Sequence, residues 1–416
     1  MIGVIADDLT GAAELGGVGL RYGLSAEVVT AGAESGLQAA LRGGSADAGT
    51  PNGPDLLCVD TDSRAGLPAE AGRRAAEAAN RLTALRAEWI YKKVDSVLRG
   101  HVVVELEAMM NQLGLNRALL VPANPSLARV VRNGQYFVRG EPIHQTDFRL
   151  DPEFPRRTSS VRELLGAPGA SMVHVRGTRD PLPSAGINIG EAETTDDLWH
   201  WANRRDSATL MAGAAEFFAT LLEASGPRLP LNRAGRPLRR VPIATAAART
   251  AALRPELFVC GSASEACRTF VVESRRRGVP VFGLPEELAR GAEFTAEKRE
   301  PLAQRVAETI GTSPRVILEI GLPPVRDPHL SRQLADQLVR LARAVLLRAR
   351  VEHVYAEGGA TGASLMRGMD WTRLRTVREI APGVVTFQVV GDRRHFLTLK
   401  PGSYLWPKDV DPGPPS

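Results

Sequence analysis

Two adjacent carboxylates that follow an apolar segment are the first residues in the chain that could do chemistry. Residues 2–6 are apolar or small, and Asp7, Asp8, Thr10 and Gly11 come next. This order predicts a buried parallel strand that carries both carboxylates to the carboxyl edge of a sheet, which is where open α/β sheets bind ligands. Because an unpaired buried carboxylate is costly, a cation, a hydroxyl-rich ligand or a basic side chain must meet the two aspartates.

Two further apolar segments, 56–60 and 88–93, also end in charged and hydroxyl side chains. These side chains are Asp62 and Arg64 after the first segment, and Lys92, Lys93, Asp95, Ser96 and Arg99 at the end of the second. Lysine and arginine could hold a carboxylate, and aspartate and serine could hold a polyol. A surface turn with local ion pairs is the alternative for residues 92–100. Three such ends in successive βα units would converge on one crevice, so they favour a pocket for a polar small molecule.

Two loops rich in small residues occur in the second half of the chain, each between a predicted strand and a predicted helix. They span residues 260–264 and 357–364. Backbone N–H groups at a helix N-terminus can reach a phosphate, so two such loops in one domain indicate a nucleotide site. Neither loop matches a Walker A sequence or the dinucleotide pattern of three spaced glycines. A third segment, 399–403, is predicted to be a turn.

Length and charge narrow the class of protein. The chain has 416 residues with 44% hydrophobic content, which exceeds one ordinary domain and predicts two. Its net charge of +5 comes without a basic stripe interleaved with aromatic residues, so nucleic acid is not an expected partner. Since no apolar run reaches about 18 residues, no membrane span is expected.

Cysteines and histidines add little to the predicted chemistry. Cys58, Cys260 and Cys267 have no metal-type spacing and imply no disulfide framework. The seven histidines form no metal-binding motif, and metal ligands are left unassigned. Since no basic leader precedes the first predicted strand, we expect a cytoplasmic protein.

Strand-like and helix-like segments alternate along the chain, and this order favours βαβ units and mostly parallel sheets. In the first half, strands are predicted at 2–6, 26–30, 56–60, 88–93, 117–121, 171–175 and 186–190, with helices at 68–86 and 101–113 and a long helical pattern at 196–223. In the second half, strands are predicted at 257–260, 279–282, 315–319, 352–355 and 384–389, with helices from about 265 and at 328–349.

The predicted fold is therefore α/β, with two domains that are each a mostly parallel sheet flanked by helices. The domains are expected at 1–226 and 256–406, joined by a proline-rich linker at 227–255. Residues 31–54 are predicted to be a loop, and residues 407–416 a disordered tail.

Taken together, these motifs resemble the four-carbon acid sugar kinase family, ATP-dependent kinases of tetronate-type acids. In the first half the resemblance rests on IADDLTGA (5–12), DTDSR (60–64), KKVDSVLRG (92–100), PANPSLAR and NGQYFV (within 122–138), DPEFP (151–155), AETTDDLW (192–199) and MAGAAEFF (211–218). In the second half it rests on GSAS (261–264), EGGATG (357–362), REIAPGV (378–384) and LKPG (399–402).

The resemblance implies an acid-sugar domain followed by a nucleotide domain, with the active site in the interdomain cleft. It implies phosphoryl transfer from ATP, with Mg²⁺, to the C4 hydroxyl of a tetronate or 3-oxo-tetronate. The implied catalytic residues are Asp8, Lys93 and Asp95, and one of Asp7, Asp8 or Asp95 would accept the hydroxyl proton. The implied substrate-binding residues are Asp7, Asp62, Arg64, Lys92, Ser96 and Arg99. The implied ATP-binding residues are Ser262, Gly358, Gly359, Thr361, Gly362 and Gly402.

Two segments depart from the family pattern. Ala360-Thr361 stands where the family has Glu-Thr, and residues 400–405 read Lys-Pro-Gly-Ser-Tyr-Leu where the family has Lys-Ser-Gly-Asn-Phe-Gly. Pro401 removes a backbone N–H that could hold phosphate. A degenerate member that binds a metabolite or nucleotide without turnover is one alternative function. A haloacid-dehalogenase-type phosphatase is less favoured, because that chemistry uses Asp-x-Asp and not adjacent aspartates. The expected partners are the acid sugar and ATP, and a homodimer is the assembly considered.

Overall fold

The computed structural model describes residues 1–30, 53–151, 154–166, 172–225, 255–262, 264–323, 327–392, 394–402, 404–408 and 410. The chain divides into two compact units, residues 1–241 and 242–416. The predicted linker at 227–255 lies outside the described residues except for Pro255, and so does the predicted loop at 31–54 except for its last two residues.

Strands and helices alternate through the N-terminal unit. Its first half contains β1 (Ile2–Ala6), α1 (Leu9–Arg21), β2 (Ala26–Thr30), β3 (Leu56–Asp60), α2 (Pro68–Ala84), β4 (Trp89–Lys93), α3 (Val102–Leu113) and β5 (Arg117–Val121). Its second half contains β6 (Arg129–Arg132), β7 (Gln135–Val138), β8 (Glu141–Pro142), α4 (Val161–Leu164), β9 (Val173–Arg176), β10 (Gly186–Gly190), α5 (Thr195–Ala202), β11 (Thr209–Gly213) and α6 (Ala215–Ser225). Strands β6, β7 and β8 form a small antiparallel sheet of their own.

The large sheet of this unit is parallel, with strand order β2-β3-β1-β4-β11-β5-β10-β9. Four of its strands, β1, β3, β10 and β11, are buried along their whole length, as expected for a parallel sheet covered on both faces. Ala6 at the end of β1 is level with Asp60 of β3 on one side and with Lys93 of β4 on the other. The chain therefore leaves three neighbouring strands at the same height, which brings the segments after residues 6, 60 and 93 together.

The long helical pattern predicted at 196–223 is wrong. Residues 209–213 instead form β11, a fully buried strand between β4 and β5, with a helix before it and another after it. A short apolar run inside a sheet has no period that separates it from a buried helix. Gly213 ends this strand against β5, where a Cβ would overlap the carbonyl oxygen of Val121.

The C-terminal unit contains a second α/β series. Its elements are β12 (Glu256–Cys260), α7 (Glu265–Arg276), β13 (Val281–Gly283), α8 (Ala296–Thr312), β14 (Arg315–Glu319), α9 (Pro328–Leu346), β15 (His353–Glu357), α10 (Gly359–Met369), β16 (Arg373–Ala381), β17 (Val384–Val389) and β18 (Phe396–Lys400). The strand order is β13-β14-β12-β15-β18-β17-β16. The first five of these strands are parallel, and β17 runs antiparallel to both β18 and β16.

The predicted α/β class with mostly parallel sheets is confirmed in both units. Strands β16 and β18 were not predicted from the sequence, and Leu399 and Lys400 belong to β18 instead of the predicted turn. Val410, inside the predicted disordered tail, is instead buried in the C-terminal core beside Trp406, and residues 411–416 lie outside the described residues. Among the helices of the described ranges, none combines the length and apolarity needed to cross a bilayer.

Candidate active site

Arg64 joins the ends of the three neighbouring strands in the N-terminal unit. Its Nε and Nη2 donate to the two carboxylate oxygens of Asp7 at 2.8 and 3.0 Å. Its Nη1 donates to Asp8 Oδ2 at 2.9 Å and lies 3.7 Å from Asp95 Oδ1. Together with Arg99, which binds Asp95, these residues are called the strand-end cluster: Asp7, Asp8, Arg64, Asp95 and Arg99.

Asp8 has two partners besides Arg64, and both lie within the three residues that follow it in the sequence. Its carboxylate accepts hydrogen bonds from the backbone N–H of Gly11 at 2.9 Å and from Thr10 Oγ1. Asp8 is thus the N-cap of α1 and satisfies one of the free N–H groups of the first turn. A Cβ on Gly11 would lie 2.8 Å from Asp8 Oδ1, so the glycine leaves room for the cap.

The carboxylate of Asp95 is hydrogen-bonded to the loop that follows it. Its carboxylate accepts from the backbone N–H groups of Val97 and Arg99 at 3.0 and 3.2 Å, and from Arg99 Nε and Nη2 at 3.0 and 2.7 Å. Burial raises the pKa of Asp95, but Arg99 and Arg64 outweigh burial and hold the pKa well below its usual range. Arg99 also reaches the carboxylate of Asp151 at 3.2 Å, which connects the DPEFP segment to the cluster.

Asp7 is the most deeply buried carboxylate of the cluster. Burial raises its pKa, but Arg64 and Lys92 have the greater combined effect, so the pKa of Asp7 is lowered. Gly100 packs directly against it with a φ of +89°, and a Cβ at this position would lie 2.8 Å from Asp7 Oδ2. Glycine is required here by both the backbone conformation and the close approach.

Three carboxylates and two guanidinium groups nearly neutralise one another in the cluster. Side-chain exposure is 3% for Asp7, 9% for Asp95 and 15% for Arg64, against 17% for Asp8 and 31% for Arg99. Asp8 and Arg99 are therefore the members that a ligand meets first.

The two predicted site lysines point away from each other, as expected for neighbours on a strand. Lys92 is fully buried behind the cluster, where its Nζ lies 3.0 Å from Glu105 Oε2 on α3. The Lys92 side chain is fully enclosed in this structure, and its predicted substrate contact stays a prediction. Lys93 is directed towards α1, where its Nζ lies 3.2 Å from Glu14 Oε2 and donates to the carbonyl of Val94. A catalytic role for Lys93 stays a prediction.

Ser96 and Asp62 occupy the borders of the cluster. Ser96 Oγ accepts from Arg129, and its carbonyl oxygen accepts from Tyr136, so this residue connects the small antiparallel sheet to the site. Asp62 is exposed, and its backbone N–H donates to Asp60 Oδ1 at 2.8 Å.

Several polar residues that were not predicted as site residues support the cluster. Glu105 accepts from Ser63 Oγ at 2.6 Å as well as pairing with Lys92, and burial raises its pKa. Asp60 is buried at the end of β3, and its Oδ2 has no hydrogen-bond partner among the described residues. Burial and the neighbouring Asp62 raise the pKa of Asp60 well above its usual range. Only the DTDSR motif, which contains Asp60 and Ser63, gave any signal for these residues.

In the C-terminal unit, three loops meet at the N-terminus of α10. A Cβ on Gly402 would lie 2.6 Å from Ser262 Oγ and 3.8 Å from Gly358 Cα, and a Cβ on Gly261 would overlap Thr361 Oγ1. Ser264 Oγ donates to the carbonyl of Gly402 at 2.5 Å. The structure thus brings together the predicted nucleotide-binding residues at 262, 358, 361 and 402, and Gly359 and Gly362 lie in the first turn of α10.

The start of α10 has the properties of a phosphate cradle. Gly358 precedes the helix with a φ of +95°, and no side chain caps the helix. The first N–H groups of an uncapped helix and its dipole favour an anion. Glycines at 261, 358 and 402 keep side chains out of this space. The small residues therefore fit the phosphates of a nucleotide.

Comparison with known proteins shows the family to which both units belong. A family model described as the sugar-binding N-terminal domain matches residues 2–215, and one described as the nucleotide-binding C-terminal domain matches residues 257–404. The chain belongs to the four-carbon acid sugar kinase family. The predicted family and the predicted phosphotransferase class are confirmed.

Curated members of the family align with nearly the whole chain. D-erythronate kinase of Heliobacterium modesticaldum is 25% identical over 414 residues, covering 94% of this chain and 91% of that protein. D-threonate kinase of Cupriavidus necator is 27% identical over 406 residues, with 92% and 88% covered. 3-oxo-tetronate kinase of the same organism is 26% identical over 440 residues, with 99% and 96% covered.

Solved structures share the fold. A DUF1537-family protein from Haemophilus influenzae matches with a TM-score of 0.64 at 20% identity and covers 96% of each chain. A structure from Salmonella typhimurium LT2, provisionally described as a tRNA synthase, matches with a TM-score of 0.70 at 18% identity and covers 97% of this chain and 96% of its own. At these identities the likeness concerns the fold alone.

Proposed function

We propose that the protein transfers the γ-phosphoryl group of MgATP to the C4 hydroxyl of a four-carbon acid sugar, a tetronate or 3-oxo-tetronate. The observation that carries the proposal is the strand-end cluster, which combines cations for a carboxylate with carboxylates for hydroxyls inside the sugar-binding domain. The named activities of the relatives support the same class of substrate.

Arg99 is proposed to receive the acid group of the substrate, with Arg64 beside it. Arg99 is the most exposed cation of the cluster, and its guanidinium can bind a carboxylate through two parallel hydrogen bonds. Arg64 is more deeply placed and already shared among three aspartates.

Asp8 is proposed to accept the proton of the attacking hydroxyl. It is the most exposed of the three cluster carboxylates. Asp7 and Asp95 are less accessible to a substrate hydroxyl than Asp8 is, and arginine contacts lower the pKa of each. The N-cap contacts of Asp8 fix its orientation, and a fixed base is the arrangement that general-base catalysis needs.

The nucleotide is proposed to bind at the three loops around the start of α10. The N–H groups of the first helical turn would hold phosphate oxygens, and Gly358 and Gly402 would allow close approach. The magnesium ion would enter with ATP, held by phosphate oxygens and water. Glu357, the carboxylate next to the loop, is already paired with Lys400 and Trp406.

An ADP-release assay tests this function. Purified full-length protein is incubated with MgATP and, one at a time, with D-erythronate, D-threonate, their L-isomers and the 3-oxo acids, with four-carbon sugars that lack the carboxylate as controls. We expect ADP release with at least one acid and none with the matching neutral sugars. Equal release with acids and neutral sugars, or no release with any acid, would contradict the proposal.

Ala360 and Pro401 give one reason to test the alternative of binding without turnover. Ala360 is exposed in the first turn of α10, where the family pattern has glutamate, and Pro401 lacks an N–H. If the protein binds ADP but releases none from ATP with any acid, the double variant Ala360→Glu/Pro401→Ser is assayed. Turnover gained by that variant would assign the chain a sensing function in place of catalysis.

A further inference from the structure

Lys400 lies behind the glycine loops with its ammonium group completely buried. Its Nζ donates to Glu357 Oε1 at 2.8 Å, to the carbonyl of Pro401 at 3.0 Å and to the carbonyl of Tyr404 at 2.5 Å. An ammonium group has three protons, and these bonds use all of them. Neither Lys400 nor Glu357 exposes its side chain, so neither residue is available to a ligand.

These three bonds connect two of the loops that form the phosphate cradle. Glu357 is the residue before Gly358, and it is level with Lys400 in the parallel pair β15 and β18. The carbonyls of Pro401 and Tyr404 lie on either side of Gly402 in the sequence. One side chain thus holds the segment that leads into α10 and the segment that contains Gly402.

Neighbouring contacts strengthen the same connection. Gly358 N–H donates to the carbonyl of Lys400 at 2.9 Å. Trp406 Nε1 donates to Glu357 Oε2 at 3.0 Å, and the Lys400 ammonium lies 5.2 Å from the centre of the Trp406 ring. With Lys400 on one oxygen and Trp406 on the other, the buried Glu357 carboxylate is satisfied.

We propose that Lys400 is a positioning residue for the nucleotide: it sets the distance between Gly358 and Gly402 and thereby the width of the phosphate cradle. This inference rests on the proposed nucleotide site but assigns a role to a residue that touches no nucleotide atom. Without the ammonium, the carbonyls of Pro401 and Tyr404 lose their common donor, and the loop that carries Gly402 is free to move from Gly358. Nucleotide affinity should then fall although every residue that lines the cradle is unchanged.

Direct nucleotide binding tests the role. The dissociation constant for ADP is measured by calorimetry on the full chain for wild type, Lys400→Met and the double variant Glu357→Gln/Lys400→Met. Lys92→Met is the matched control, because Lys92 is an equally buried lysine that pairs with a buried glutamate in the other unit. We expect an ADP dissociation constant at least tenfold higher in both Lys400 variants, and a change of less than threefold in Lys92→Met.

The double variant separates positioning from simple destabilisation. It leaves no unpaired charge in the core, so its melting temperature should recover relative to Lys400→Met while its ADP affinity stays weak. If Lys400→Met does not fold, the comparison is made with the double variant alone. Affinity within threefold of wild type in the folded Lys400 variants, or affinity that recovers together with stability, would overturn the proposal. A wild-type protein that binds no ADP would instead refute the proposed nucleotide site itself.

Discussion

The two units form their candidate sites from different chemical groups. In the N-terminal unit, charged side chains at three strand ends neutralise one another around Arg64. In the C-terminal unit, glycines and serines around the start of α10 expose backbone N–H groups and leave space. A small acid with several hydroxyls needs directional partners of both signs, whereas a triphosphate is held by a row of N–H donors.

The two sites nevertheless share one kind of support. Lys92 pairs with Glu105 behind the strand-end cluster, and Lys400 pairs with Glu357 behind the glycine loops, with all four side chains buried. Replacing one member of such a pair leaves an uncompensated charge and is strongly destabilising. Substitutions at the exposed members of each site should instead change function more than stability.

The largest effect on catalytic activity is expected from a substitution at Asp8. Asp8→Asn keeps the N-cap of α1, because asparagine caps a helix as well as aspartate does, but it removes the proposed base. We expect kcat to fall by about 10²–10⁴-fold with little change in melting temperature. The control is Asp327→Asn, the same exchange at the N-cap of α9, where kcat should not change. A kcat near wild type in Asp8→Asn would exclude Asp8 as the base.

The next effect is expected at Arg99. Arg99→Gln removes the most accessible guanidinium of the cluster, and a lost charge-assisted contact of about 1.5–3 kcal/mol raises the KM for the acid by about 10–100-fold. The KM for ATP should not change. Arg132→Gln, which removes an exposed arginine that pairs with Glu193, is the control and should leave both KM values unchanged. An increase in the KM for ATP alone would place the acid elsewhere.

In the C-terminal unit, a substitution at Gly358 should affect the nucleotide in the way that Arg99→Gln affects the acid. Gly358→Ala places a Cβ on a backbone with a φ of +95°, and the strain of about 1–3 kcal/mol should displace the start of α10. We expect the KM for ATP to rise by about tenfold with the KM for the acid unchanged. Gly278→Ala has a similar φ of +78° but no neighbouring atoms within 4 Å, so it should lower stability without changing either KM.

The smallest effect is expected at Asp60 and concerns stability. Because the folded pKa of Asp60 is raised above the unfolded value of 3.8, this group favours folding below about pH 4 and loses that contribution as the pH rises. Asp60→Asn cannot ionise, so the variant does not lose this stability as the pH rises. If the exchange recovers about 1 kcal/mol, the melting temperature at pH 8 rises by about 2–4 °C, and the gain disappears near pH 4. An equal gain in melting temperature at both pH values would show that the charge of Asp60 does not destabilise the folded protein.

The sequence predicted the strand ends well, because an apolar run that stops at charged residues is a local signal. Asp7, Asp8, Arg64, Asp95 and Arg99 do meet at one edge of a parallel sheet. The opposite directions of Lys92 and Lys93 follow from strand geometry. Their partners could not be predicted, since each lysine pairs with a glutamate on a helix, Glu105 or Glu14, that is distant in sequence.

Contacts between residues that are distant in sequence also explain the errors in the second half of each unit. Strand β11 is apolar on both faces, so its residues were indistinguishable from a helical segment. Pro401-Gly402 is a turn signal, and it concealed that Lys400 ends a buried strand and bonds to the loop that follows. In both cases the missing information was the identity of the neighbouring strand.

The central claim is that the acid binds in the N-terminal unit and the nucleotide in the C-terminal unit. It is tested most directly by measuring the binding of both ligands to a variant of each site. Calorimetric titrations measure the affinity of the preferred acid and of ADP for wild type, Arg99→Gln and Gly358→Ala. The proposed assignment predicts that Arg99→Gln weakens only the acid, by about 10–100-fold, and that Gly358→Ala weakens only ADP, by about tenfold. Equal weakening of both ligands by either variant, or the reverse pairing of variant and ligand, would contradict it.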